Sequence, residues 1–161
     1  MRLLYTESNL LSLRAQIRRR RLVLYAVSAL FFALFIITLV IDDHKQNRPQ
    51  LLTLFSVLLG GGFAIFYYDL MIRPLRCYER HLEHALHGRN HEMTLEFLRV
   101  EPELSLVDGV RFRGLTFLGD PDKHGVRETG LYWDAELPLP EFVPGQSLTV
   151  RYYDRCITGY Q

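Results

Sequence analysis

Apolar positions change their spacing along this chain, and the changes divide it. Leu22–Ile41 reads LVLYAVSALFFALFIITLVI, with no charged residue, and Leu51–Tyr68 reads LLTLFSVLLGGGFAIFYY, also uncharged. At 1.5 Å of rise per residue, about 20 helical residues cover about 30 Å, the hydrocarbon thickness of a bilayer. Only DDHKQNRPQ separates the two runs. The pattern predicts transmembrane helices at 22–41 and 51–72, joined by a short external loop at 42–50 into an antiparallel hairpin.

The flanks follow other periods. Residues 1–21 form an amphipathic basic segment in which Leu10, Leu13 and Ile17 share one helical face, a helix able to run straight into the first span. Ser8 or Asn9 is the expected N-cap. Pro74 is placed to open a connecting helix at 74–88, with Leu75, Tyr78, Leu82, Ala85 and Leu86 on its apolar face and Gly88 as its stop. From Met93 the period becomes two. Leu131, Trp133, Ala135 and Leu137 alternate with polar residues, and Leu148, Val150 and Tyr152 repeat this after a Pro144–Gly145 turn. Val110 and Phe112 give way at Gly114 to Leu115 and Phe117 of opposite parity, which predicts a bulge there. With Thr94–Val100 and Cys156–Tyr160 added, about five short strands fit residues 93–161, and a small barrel of OB or SH3-like type would leave them no free edge. So thin a core is expected to dock on the connecting helix through Leu82 and Leu86. The expected fold class is an α+β membrane protein: a two-helix transmembrane hairpin followed by a small cytoplasmic all-β barrel.

Charge orients this layout. The net charge of +1 hides a division: residues 1–92 carry 12 Lys and Arg against 7 Asp and Glu, and residues 93–161 carry 7 against 11. Arg14, Arg18, Arg19, Arg20 and Arg21 precede the first span, and Arg73, Arg76, Arg80 and Arg89 follow the second. In the loop, Lys45 and Arg48 are offset by Asp42 and Asp43. Arginine excess on both outer flanks predicts an integral membrane protein with two spans and both termini cytoplasmic. Tyr25, Tyr67 and Tyr68 fall at the same interface. Arg14, Arg18–Arg21, Arg73 and Arg76 are candidate lipid-headgroup contacts, either setting topology or recognising an anionic lipid. Leu22–Ile41 is too long for a secretory signal core and no small-residue cleavage pattern follows it, so it reads as a retained span.

Within the hairpin, Ser56, Gly60 and Ala64 recur every four residues, and Ala26, Ala29 and Ala33 form a small-residue stripe on the first span. Both are candidate helix-packing faces, because small residues let backbones approach where lipid supplies no hydrophobic drive. Gly60–Gly62 costs a helix in water roughly 1 kcal/mol per residue relative to Ala. It reads as packing within the hairpin or as a seam for another subunit. A broken helix around an ion lacks a buried acid, Asn or Gln to support it. Asp69, with Arg73 four residues on, stands at the edge of the span rather than in it.

The remaining chemistry is sparse. His81, His84, His87 and His91 form a row compatible with a solvated face, a metal or a pH sensor, but no acid or Cys–His spacing completes a zinc ligand set. Cys77 and Cys156 read as reduced thiols rather than a disulfide framework. Asp120–Gly125 reads as a solvated polar turn. The acidic balance of the tail opposes nucleic-acid binding, and Tyr132 and Tyr153 are a candidate surface for a protein partner. No catalytic constellation, metal or cofactor is indicated. The layout of spans followed by a small barrel is similar to that of the NfeD-like membrane proteins, a likeness of architecture that carries over no residue and no activity. The expected role is a non-enzymatic membrane-anchored adaptor whose acidic barrel binds a protein partner at the cytoplasmic face. The alternative is a homo-oligomeric membrane subunit, accessory ring or pore assembled through the Ser56/Gly60/Ala64 face. Membrane lipids are partners in both.

Overall fold

The computed structural model describes residues 1–42, 49–119 and 127–161; loop residues 43–48 and the Asp120–Gly125 turn lie outside these. The fold is α+β, two long apolar helices and then a six-stranded sheet. In order the elements are β1 (Arg2–Leu3), α1 (Glu7–Asp42), α2 (Pro49–Tyr67), a π-helical turn (Tyr68–Ile72), α3 (Arg73–His87), β2 (His91–Val107), β3 (Val110–Leu118), β4 (Glu128–Asp134), β5 (Ser147–Tyr153) and β6 (Cys156–Tyr160). They make two compact units: Leu13–Arg76, and Met1–Ser12 together with Cys77–Gln161.

The first unit is helical. Helices Glu7–Val40 and Leu51–His87 each contain a stretch long and apolar enough to cross a membrane. The less exposed face of α1 carries Leu24, Val27, Ser28, Phe31 and Phe35, and that of α2 carries Ser56, Gly60, Phe63 and Ala64. Gly60 meets Phe31 so closely that a Cβ added to it would lie 2.8 Å from the Phe31 Cβ. The small-residue stripe of the first span is therefore corrected: Ala26, Ala29 and Ala33 are exposed. An aromatic ring from one helix fills the space that glycine leaves on the other, so a second small-residue face is not needed. Pro74 does not open a separate helix. An interior proline lacks the N–H for its i−4 carbonyl and crowds it, and the widened turn just before it accommodates both. That turn is closed by the Arg73 N–H donating to the Tyr68 carbonyl.

The second unit is built on the sheet. Its order is β1-β6-β4-β3-β2-β5, and β6 also pairs with β5. Antiparallel registers include Leu115 against Leu131, Val107 against Val110 and Val150 against Tyr160, while β4 and β6 meet in parallel at Tyr132 and Cys156. The two-residue turn Asp108–Gly109 has φ of 50° and 80°, the left-handed pair that matches strand twist in a tight hairpin. In Val143–Gln146 the Gln146 N–H donates to the Val143 carbonyl at 3.0 Å, with Gly145 at φ 86°, the glycine position of a type II turn.

The interior holds Leu95, Phe97, Leu115, Phe117, Leu131, Trp133, Leu148, Val150 and Ile157. Trp133 is 1% exposed, as its parity predicts, and its indole N–H donates to the Leu137 carbonyl at 3.4 Å. Val110 and Phe112 belong to another buried cluster with Cys156, packed by Cys77, Tyr78 and Tyr132. The parity change at Gly114 is thus two-sided burial of one regular strand. No register shift marks β3 against β4, but Val100 pairs with Leu115 and Leu104 with Arg113, so an irregularity does lie opposite Gly114, with its extra residues on β2 rather than on β3. The exposed Glu101 side chain, from that segment of β2, reaches over Gly114, where an added Cβ would displace its flexible carboxylate end.

Candidate functional site

The most demanding chemistry in the sheet unit lies at the end of β4. Asp134 is fully buried, and a buried carboxylate needs several donors to replace water. It has them from separate parts of the chain. Tyr78 on α3 donates its hydroxyl to Oδ2 at 2.6 Å, and Tyr5 donates to the same oxygen at 3.1 Å. The Glu136 N–H donates to Oδ1 at 2.9 Å. Tyr5 is 4% exposed and its oxygen also lies 3.1 Å from His81 Nε2. A phenol has one proton, and Tyr5 gives it to Asp134, so the His81 Nε2–H is the donor to Tyr5. A chain of hydrogen bonds runs from α3 through the N-terminal segment to β4.

Local structure sets each member. β1 pairs Arg2 with Tyr160 and Leu3 with Gly159, and the Leu4 N–H donates to the Thr158 carbonyl at 3.0 Å, which draws Tyr5 over the sheet. Thr6 then stands at the N-cap position in place of the expected Ser8, its carbonyl accepting from Asn9 at 3.0 Å and from Leu10 at 3.4 Å. Tyr78 and His81 lie one turn apart on α3, on the same face as the buried Leu82 and Ala85. α3 stops at His87, as expected. Gly88 serves there by close approach: a Cβ on it would collide with the His84 carbonyl oxygen and lie 2.5 Å from the Tyr153 ring. Asn90 donates from Nδ2 to the Ala85 and Gly88 carbonyls at the helix end.

Electrostatics follow from burial. Desolvation pushes the Tyr5 and Tyr78 hydroxyls far above the ordinary phenol range, and the Asp134 carboxylate adds to the effect. Desolvation lowers the His81 pKa, opposed by Asp134 and assisted by His84. Burial, with Asp154 and Asp108 nearby, pushes the Cys156 thiol up to about 12. That keeps it protonated and a poor nucleophile at neutral pH.

Beside His81 lies a cavity of about 190 Å³, whose walls include Cys77, Arg80, His84, Asp108, Tyr153 and Cys156. The two free cysteines, distant in sequence, thus face one cavity. The histidine row does not converge. His84 stacks on Tyr153 at 5.5 Å, His87 pairs with Glu7 at 3.1 Å, and His91 packs against Tyr152. Among the described residues no group of three or more His, Cys, Asp or Glu side chains is arranged to hold a metal ion. The tyrosines named as a partner surface are half-buried: Tyr132 packs on Phe112, and Tyr153 on His84.

In the helical unit, Ser56, Gly60 and Ala64 lie together on one wall of an apolar groove that Phe31, Phe32 and Phe35 complete. Arg14, Arg18 and Arg19 are exposed and Arg21 is half-buried. Arg20 donates to the Met71 carbonyl in the π-helical turn at 2.9 Å, Arg73 pairs with Asp69 at 3.5 Å, and Arg76 donates to the Tyr68 hydroxyl at 3.4 Å. Sequence reasoning missed Tyr5 and Asp134. Asp134 sits between Trp133 and Ala135 in an alternating run, where an acid reads as the solvated face. No family model, curated protein or solved structure matches this chain.

Proposed function

We propose that the protein is a non-enzymatic, membrane-anchored adaptor. In this reading the apolar hairpin spans the bilayer with both flanks cytoplasmic. The strands of the sheet unit close as a small OB or SH3-like barrel, with β6 bonded on both sides, and present an acidic surface to a protein partner. The pairing of β1 with β6 carries the reading. Residues before Leu13 and after Arg76 belong to one folded unit, so whatever Leu13–Arg76 traverses, the chain returns to the side it left. An even number of spans meets that condition, and arginines at both outer flanks favour the cytoplasm for that side. Large apolar side chains stay exposed along both helices, among them Leu30, Phe32, Val40, Leu58, Ile65 and Phe66. An apolar patch of this extent is tolerated in lipid and not in water.

The non-enzymatic reading is supported by the way the polar groups are used. Among the described residues every buried side-chain nitrogen and oxygen has a hydrogen-bond partner, and Asp134 is committed to three donors within the fold. Exposed Arg18 and Arg19 are the arginines best placed to meet lipid headgroups. The second reading, a homo-oligomer joined at the glycine face, draws on Gly61 and Gly62, where an added Cβ would meet nothing within 4 Å. The test is paired. In intact cells an impermeant thiol reagent should label a cysteine placed at Asn47 and spare Cys77 and Cys156; labelling of Cys156 from outside overturns the topology. Affinity purification in mild detergent should then recover a stoichiometric foreign protein, whereas a ladder of self-crosslinks favours the oligomer.

A further inference from the structure

We propose that Tyr5, His81 and Asp134 form a protonation-sensitive latch that holds the N-terminal segment Met1–Thr6 on the sheet and releases it on acidification. The geometry isolates one weak point. The segment is held by two residues of β1 pairing, the Leu4 N–H, the Arg2–Tyr160 hydrogen bond, Leu4 packed against the core and the Tyr5 side chain; of these only the Tyr5 hydroxyl, shared between Asp134 and His81, touches a group that titrates near neutral pH. His81 is half-buried, packed edge-on against Tyr5 at 5.5 Å and against Phe112 at 5.0 Å, so aromatic walls cover two sides of its ring and its remaining side faces the cavity.

Neutral His81 serves Tyr5 through Nε2–H. A second proton goes to Nδ1 and places a full charge among rings that cannot solvate it. The groups facing His81 decide the balance. Asp134 on β4 attracts the imidazolium, while His84 on α3 opposes it. Tyr5 and Tyr78 stay protonated and neutral, and Cys77, Arg80, Asp108, Asp154 and Cys156 share the cavity beside it. Desolvation is the largest of these effects, so the closed site prefers the neutral ring. The sign follows. Once the segment is released, His81 is hydrated and takes its proton near the ordinary value of about 6.5; in the closed state it does so only at lower pH. Acid therefore favours the open form. The latch holds fully above about pH 6.5 and loosens by up to tenfold per pH unit below it, until the closed-state pKa is reached.

Release uncovers the β6 edge on which β1 pairs. A Cβ on Gly159 would lie 3.1 Å from the Arg2 carbonyl oxygen, so this glycine admits the β1 backbone. Behind β1 runs an apolar groove of about 250 Å³ between Leu4 and the side chains of Trp133, Leu137, Leu139 and Tyr160. The latch does not depend on the adaptor reading.

The test uses the full chain in lipid nanodiscs. Hydrogen exchange at the Leu3–Tyr5 amides is followed from pH 8 to pH 5 and corrected for the intrinsic rate. Protection should be constant above about pH 6.5 and fall up to tenfold per unit below it. His81→Gln keeps a side-chain N–H donor and cannot titrate, so protection should persist and lose its pH dependence. Tyr5→Phe should lower protection at every pH, and His91→Gln should behave as wild type. Unchanged pH dependence in His81→Gln overturns the latch. So does flat protection in the wild type, or an NMR titration of the wild-type His81 ring at or above pH 6.5.

Discussion

Replacing Gly60 with alanine tests the packing of the two apolar helices with a single methyl group. Built on the existing backbone, the new Cβ lies 2.8 Å from Phe31 Cβ and 3.1 Å from Phe31 Cγ. Phe31 Cβ is fixed to its own backbone, so no rotamer change moves it away. To restore an ordinary contact the helices must separate by roughly 1 Å, and a gap of that size forfeits a quarter to a half of the dispersion energy of the atoms along it. Overpacking of this kind costs about 1–3 kcal/mol. Alanine recovers up to about 1 kcal/mol of helix propensity on the water scale, so the net loss is about 0–2 kcal/mol. The neighbouring glycine supplies the control. At Gly61 the same methyl meets nothing within 4 Å, so Gly61→Ala keeps the propensity gain without the clash. The two variants should differ by about 1–3 kcal/mol, read as reversible unfolding of the full chain in mixed micelles. Equal stability of Gly60→Ala and Gly61→Ala would refute the Phe31–Gly60 contact.

Two further outcomes probe the sheet unit. Trp133→Ala should cost the full chain about 3–5 kcal/mol, because the ring is buried against Phe142 and Tyr160. The wild-type emission of this sole tryptophan should be blue-shifted and resist quenching; red-shifted, readily quenched emission removes it from the core. Arg155→Gly should stabilise the full chain by about 1 kcal/mol or less and so raise its melting temperature. Arg155 holds φ at 66° in the tight turn between β5 and β6, where an L-residue is strained by about 1–2 kcal/mol and glycine gives part of that back as chain entropy. A lower melting temperature would show that the arginine side chain earns its strained backbone.

What could be read from the sequence was what depends on neighbours along the chain. The apolar stretches, the strand parity of Trp133, the stop at Gly88 and the Pro144–Gly145 turn are local patterns, and each has its counterpart in the structure. The Asp108–Gly109 hairpin was missed although its signal is local: an Asp-Gly pair flanked by Val107 and Val110 is a strong hairpin signal. Gly88 shows the limit of such reading. The residue was right and the reason was not, because the close approach of the His84 carbonyl and of the Tyr153 ring, rather than a left-handed cap, requires it. The small residues of the spans show the same limit. Spacing places Ala26, Ala29 and Ala33 on a stripe but cannot say that α1 meets Gly60 with Phe31 instead.

What could not be read depends on partners far away in sequence. Parity assigns a residue to one face of a strand and is silent about whether that face is covered. On β3 and β4 both faces are covered: Leu115, Phe117, Leu131 and Trp133 point into the core, while Phe112, Tyr132 and Asp134 point toward residues of α3 and the N-terminal segment. An acid in an alternating run looks solvated until Tyr5 and Tyr78 arrive from 129 and 56 residues away. The same is true of β1. Two residues carry no period at all, and their pairing is fixed only by the β6 edge and by the room that Gly159 leaves. The residues that join this unit across the chain, Tyr5 on one side and Tyr78 and His81 on the other, thus stand just outside the two apolar runs.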